Sequence, residues 1–134
     1  MPSLLWTDSL SLGHLDMDGQ HRQLVALANA LNEAMLQNAD EEVLRRQFAG
    51  LLSYTAMHFT SEERLMSEAD YPAAVQHRKE HERLLLDLYR MRSSYGPGAQ
   101  EILQTLSVLQ SWLKDHIGSA DRKLAEYLGQ HRPA

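Results

Sequence analysis

Cysteine is absent from the chain. That excludes disulfides, thiolate zinc sites and cysteine-ligated iron–sulfur clusters, so any metal must rest on His, Asp and Glu. Basic stretches are also lacking. The formal charge is −5 and the pI about 5.7, and the only dense cationic spots, Arg45-Arg46 and Arg78-Lys79, sit among carboxylates. A nucleic-acid partner needs a basic stripe for its phosphates; these short pairs read instead as solvated helix surface. No apolar run approaches the roughly 18 residues of a membrane span. The start, MPSLLWTDSL, has neither the charged n-region nor the long apolar stretch of a signal peptide. The expectation is a soluble cytoplasmic protein with no nucleic-acid and no membrane partner. Strand-like alternation, internal repeats and low-complexity segments are missing too.

What is present is a helical pattern. With 134 residues, 43% hydrophobic and 23% charged, the chain reads as a single globular domain over 1–134, long enough to bury a core. Residues 1–17 form an extended arm with Pro2 and Gly13, from which Trp6 and Leu12 can pack back. Asp16 or Asp18 can cap a first helix over about 18–38, with the stripe His21, Leu24, Ala28, Leu31, Met35 at the 3.6 period. Asn38-Ala39-Asp40 breaks it, and Asp40-Glu41-Glu42 opens a second helix over about 40–67 in the acid-first order the dipole favours. Pro72 suits the first turn of a third helix over about 71–93. Ser93 to Gly98 is a loop, and a fourth helix over about 99–128 turns Ile102, Leu106, Leu109, Leu113 and His116 inward before a frayed tail. Four such helices on short turns predict an all-α, up-down-up-down four-helix bundle.

The bundle is organised around two pairs, His58 with Glu62 and His77 with His81. Four residues is about one helical turn plus 40°, so each pair projects two ligand types from one face. Both faces continue as apolar stripes, Leu44, Phe48, Leu51, Thr55 on one helix and Leu84, Leu85, Leu88, Met91 on the next. The ligands are thus aimed into the core, where polar groups without partners are costly. His21 joins from the first helix, His116 and Asp121 from the fourth. Any one spaced pair is roughly a one-in-three to one-in-two accident among seven histidines. Five inward imidazoles with two inward carboxylates have no comparable explanation as packing.

Seven ligands exceed the needs of one ion. They suit two metals, with both carboxylates bridging and the imidazoles divided three and two. Adding a bridging oxo or hydroxo group fills six positions on one metal and leaves a vacancy on the other. Mixed imidazole and carboxylate donors suit iron; zinc and manganese are the alternatives. His116 and Asp121 are five apart, about 140° around an α-helix. A π-bulge near Gly118-Ser119 is therefore predicted, because it aligns i with i+5.

The motifs Trp6, Gly13, Asp18-Gly19-Gln20-His21, His58-Phe59 with Glu62, His77 with His81, and Trp112-Leu113 before His116-Ile117 and Asp121 resemble those of the hemerythrins, in particular the single-domain bacterial ones. The likeness runs from Trp6 to about Leu128. It implies a di-iron centre in the bundle core, two non-haem Fe ions with a bridging oxo or hydroxo group, binding O₂ reversibly. It implies that His77, His81 and His116 hold the saturated iron, that His21 and His58 hold the open one, and that Glu62 and Asp121 bridge. It also implies that Leu113 and Ile117 line the O₂ pocket, and Phe59 and Leu24 can complete a dry wall beside them.

Oxygen storage, delivery or buffering is the expected function, and the protein is expected not to be an enzyme. The alternatives are sensing or scavenging of O₂ or nitric oxide by the same centre, with NO or small anions at the open iron, and oxidase or peroxidase activity. Oxidases that cleave O–O generally use carboxylate-rich sites, whereas this set is rich in histidine. A sensor has less support because no signalling module follows the fourth helix. A monomer is expected. His14 reads as a surface residue, His131 as tail, and Asp18 as a cap or a partner orienting an imidazole. Tyr54 is a weaker candidate for such a partner, Trp6 and Trp112 read as packing, and Met17, Met35, Met57, Met66 and Met91 as core fillers.

Overall fold

The computed structural model describes the backbone at residues 10–95 and 99–130, and the side chains there except at 91–103 and 105. Trp6, the 93–98 loop side chains, Met91, Ile102 and His131 lie outside the described residues. Helices α1 (Leu15–Leu36), α2 (Glu41–Glu68), α3 (Ala74–Tyr95) and α4 (Ala99–His116) are followed by a π-helical segment (Ile117–Asp121) and α5 (Arg122–Gln130). Helix α1 packs on α2 and α4, and α3 packs on the same two, so four rods close a bundle. No helix among the described residues is long and apolar enough to cross a membrane.

The helix ends explain the differences from expectation. Helix α1 begins three residues early because His14 caps it: the Met17 N–H donates to His14 Nδ1 at 3.2 Å. The carboxylate of Asp18 is occupied elsewhere, accepting from Leu12 N at 2.8 Å and Ser11 Oγ at 3.0 Å, which ties the arm to the helix. Asp18 is thus neither the cap nor a partner of an imidazole. Helices α1 and α2 both end in the same motif. Asn38 (φ 56°) and Asp70 (φ 50°) take the left-handed conformation, while Ala39 N donates to Ala34 O and Tyr71 N to Met66 O. Because the Tyr71 N–H is used in closing α2, Pro72 falls in the connecting turn and α3 starts at Ala74.

The core has two parts. The larger unites Leu24, Ala28 and Leu31 with Phe48, Leu51, Phe59, Leu84, Leu88, Leu106, Leu109, Leu113 and Ile117. The smaller is a plug of Met17, Met66, Leu124 and Ala125, with Tyr71 and Leu128 packed against it. The ligand-type residues lie where the two clusters meet. On α1 the order is Met17, His21, Leu24, and on α4 through α5 it is Leu113, Ile117, Asp121, Leu124. A polar layer is therefore sealed by hydrocarbon above and below. Of the methionines, Met17 and Met66 fill the plug and Met35 packs partly on the larger cluster. Met57 is 44% exposed and is no core filler, since it lies on the side of α2 that faces away from the bundle.

Candidate metal centre

Seven side chains meet in that layer, and all are buried: His21, His58, Glu62, His77, His81, His116 and Asp121. Helix α1 brings His21 and α2 brings His58 and Glu62. Helix α3 brings His77 and His81, α4 brings His116, and the π segment carries Asp121. The five-residue spacing works because the ladder widens at Ile117–Asp121, where i and i+5 align. At its entry the Ser119 hydroxyl donates to the Asp115 carbonyl at 2.7 Å, adding a donor where the backbone bonding changes register.

The carboxylates divide their oxygens between two sets of rings. Glu62 Oε1 faces His81 Nε2 at 3.1 Å and His77 Nε2 at 3.3 Å, while Oε2 faces His58 Nε2 at 3.0 Å and His21 Nε2 at 3.3 Å. Asp121 does the same, with Oδ1 at 3.0 Å from both His77 and His116 Nε2 and Oδ2 at 2.9 Å from His21 Nε2. Two groups able to hold a cation result. One is Glu62, His77, His81, His116 and Asp121, and the other is His21, His58, Glu62 and Asp121. Both carboxylates belong to both groups.

These contacts fit metal ligation better than an ordinary hydrogen-bond network. Glu62 Oε1 and both oxygens of Asp121 are buried with no aligned hydrogen-bond donor among the described residues. Leaving charged oxygens in that state costs several kcal/mol each unless a cation is present. The Nε2 atoms of His81 and His116, and of His116 and His77, stand 3.1 Å apart. Two nitrogens at right angles about 2.2 Å from a common centre are separated by about 3.1 Å, whereas tetrahedral placement at ~2.05 Å gives about 3.3 Å. Both observed separations are short enough for the three rings to share one cation.

Ring orientation is set from outside the layer. His58 Nδ1–H donates to Gln20 Oε1 at 2.7 Å, and Gln20 Nε2 donates to Ser61 Oγ at 3.2 Å, which fixes the amide's direction. With the proton on Nδ1, His58 presents a bare Nε2 to Glu62, two acceptors face to face that only a cation or a proton reconciles. Phe59 stacks on His81 with centroids 3.8 Å apart and planes at 3°, and Trp112 stacks on His116 at 4.1 Å and 16°. Trp112 is packing, as expected, but its packing is against a ligand-type ring. Gln20 carried no signal in the spacing beyond its place before His21. Tyr54, half-buried, packs on the larger apolar cluster.

Without a metal the rings and carboxylates of the layer hold one another's charge. Burial is the largest influence on His21 and His77 and disfavours their charged forms, yet the carboxylates of Asp121 and Glu62 close beside them outweigh it and raise both to about 9. Burial lowers His81, helped by the neighbouring His77 and His116 against the pull of Glu62. Burial alone would raise Glu62, but four imidazoles hold it well below the usual carboxylate range. Burial and the Glu62 charge push Asp121 upward, and His116, His21 and His77 overrule them, so it too is held below that range.

Leu24, Phe59, Leu113 and Ile117 are all at most 1% exposed, and all belong to the larger cluster on one side of the layer. A cleft of about 220 Å³ between Tyr71, Gln76, Glu80, Ser119 and Lys123 reaches His77 from the protein's exterior.

Packed helices around a buried cluster of histidines and shared carboxylates define a metal-binding helical bundle. A profile of the Hemerythrin HHE cation binding domain matches residues 13–128, and the chain belongs to the hemerythrin family. It is similar to the bacteriohemerythrin of Stenotrophomonas maltophilia, 34% identical over 136 residues that cover 98% of this chain and 85% of that protein. That of Pseudomonas paraeruginosa is 33% identical over 123 residues, 90% of this chain and 78% of its own. That of Ralstonia nicotianae is 28% identical over 134 residues, 99% and 94% respectively.

Proposed function

We propose that this protein binds O₂ reversibly at a pair of non-haem irons held by the seven buried side chains, as an oxygen store, carrier or buffer rather than an enzyme. The observation that carries the reading is the division of the Glu62 and Asp121 oxygens between a three-histidine and a two-histidine group. His77, His81 and His116 would hold one iron and His21 and His58 the other, with both carboxylates shared. The second iron then has one protein ligand fewer, and that is where a diatomic molecule enters.

A pair of ferrous ions held there would supply the two electrons that reversible O₂ binding needs. The chain's own residues supply the conditions for reversibility. Leu113, Ile117, Phe59 and Leu24 exclude water from one side of the layer and offer no proton. Glu62 and Asp121, kept ionised by the surrounding rings, donate none either. Gln20 keeps His58 Nε2 turned inward. With no acid among the described residues that wall the pocket, carriage is favoured over oxidase or peroxidase chemistry. NO or a small anion fits the same open position, and a cytoplasmic monomer is the simplest setting.

Visible spectroscopy of the iron-loaded, reduced protein tests this. A stable band that forms in air and disappears under argon is expected. One-way oxidation with turnover of an added reductant would refute carriage and favour an enzyme, and metal analysis showing fewer than two irons per chain would refute the paired site.

A further inference from the structure

His81 differs from His58 in what stands behind it. His58 has a neutral amide on its outer nitrogen, whereas the Nδ1 of His81 is buried with no hydrogen-bond partner among the described residues. Its nearest oxygen of opposite charge is Glu63 Oε2 at 3.9 Å, which is an ion-pair contact but too long for a hydrogen bond. Glu63 is 27% exposed, so its carboxylate has room to close that gap. Its other oxygen, Oε1, makes an ion pair with Arg78 Nε at 3.4 Å. The ring cannot turn to look for another partner, because Phe59 lies flat against it.

Resting on the two-metal reading above, we propose that Glu63 is the positioning residue for the three-histidine metal: its carboxylate holds the Nδ1–H of His81, and Arg78 moderates the charge it delivers. A metal-bound imidazole whose other N–H points at a carboxylate is a stronger donor than one pointing at an amide. The two metals would then differ in outer partner as well as in ligand count. Anionic support falls on the side with three rings, and neutral support on the side left open. Glu63 sits one residue after Glu62, so one turn of α2 supplies both a shared ligand and an outer support.

The test uses zinc alone as the probe, which needs neither iron nor O₂. Zn²⁺ affinity and the ¹⁵N-resolved Nδ1–H signal of His81 are measured in the full chain and in Glu63→Gln, Glu63→Ala and Arg78→Ala. Glu63→Gln keeps the shape and removes the charge. It should weaken the three-histidine site about tenfold, the lower end of the range for outer partners, and move the His81 Nδ1–H signal upfield. Arg78→Ala should act in the opposite direction, tightening zinc, because the carboxylate is then less neutralised. Unchanged affinity and signal in Glu63→Gln would overturn the proposal. So would a loss of the same sign in both Glu63→Gln and Arg78→Ala, the mark of a merely structural pair. Should Glu63→Ala fail to fold, the isosteric Gln variant still decides. Failure of O₂ binding in the iron-loaded wild type would count against the function and leave these zinc results standing.

Discussion

The two halves of the metal layer share their carboxylates and differ in almost everything else. The three-histidine half takes two rings from one turn of α3 and a third from the end of α4. The two-histidine half draws one ring each from α1 and α2. One half is bounded by stacked aromatic rings, Phe59 on His81 and Trp112 on His116, and the other by the Gln20 amide. The lesson is that asymmetry is built twice, in the count of donors and in what packs against them. The half with more ligands is also the half whose rings are stacked on aromatic side chains.

The strongest way to break the comparison is His81→Ala. Losing one of three rings leaves Glu62 Oε1 with His77 alone, and truncating a buried ring to Ala typically costs about 3–5 kcal/mol. Elemental analysis should show iron missing from the three-histidine half and thermal unfolding at a clearly lower temperature, with His58→Ala milder on both counts. Full iron content in His81→Ala would contradict the assignment. Next in size is Ile117→Ala, which opens a cavity worth roughly 2–4 kcal/mol beside the layer. Both irons should remain, while the oxygenated form autoxidises faster as water gains entry. An unchanged rate would remove Ile117 from the pocket.

Acid and base act on the loaded and metal-free forms in opposite senses. In the metal-free fold His21 and His77 titrate at about 9, above the ordinary 6.5. Their stabilising effect is thus complete below about pH 6.5 and is lost as the pH rises through about 9. Ligation needs neutral rings, so metal uptake near pH 7 should expel about two protons per chain, one from each half. Dye-detected proton release in weak buffer measures this, and uptake with none would refute the charged metal-free state. The smallest expected effect is that of Gln20→Leu. The fold should lose about 1 kcal/mol while the two-histidine half loses about tenfold in metal affinity, without change in the other half.

Much of this architecture was legible in the spacing of residues. Stripes at the 3.6 period located the four helices, and the awkward five-residue step from His116 to Asp121 required a π turn, which the structure has at Ile117–Asp121. All seven ligand-type residues come together because each sits on an inward stripe, and burial follows directly from that pattern. Less legible were events decided by competition between side chains. His14 takes the cap because the carboxylate of Asp18 is better used on Leu12 and Ser11, a choice that depends on how the arm folds back. Gln20 and Glu63 point sideways from their helices toward neighbours far away in sequence, and periodicity on one helix says nothing about a ring on another. Leu10 is likewise buried from within the arm, against the main cluster, by tertiary contact alone.

The widened turn before α5 amounts to one additional codon. Delete it in frame and histidine and aspartate stand four apart on an ordinary helix, still facing the same way, with Leu124 and Ala125 returned to their bearing on the plug. A tidier gene is thus a single mutational step away and would sacrifice no backbone bonding. The extra residue is absorbed within a single turn, and the rod on either side of it keeps its bearing.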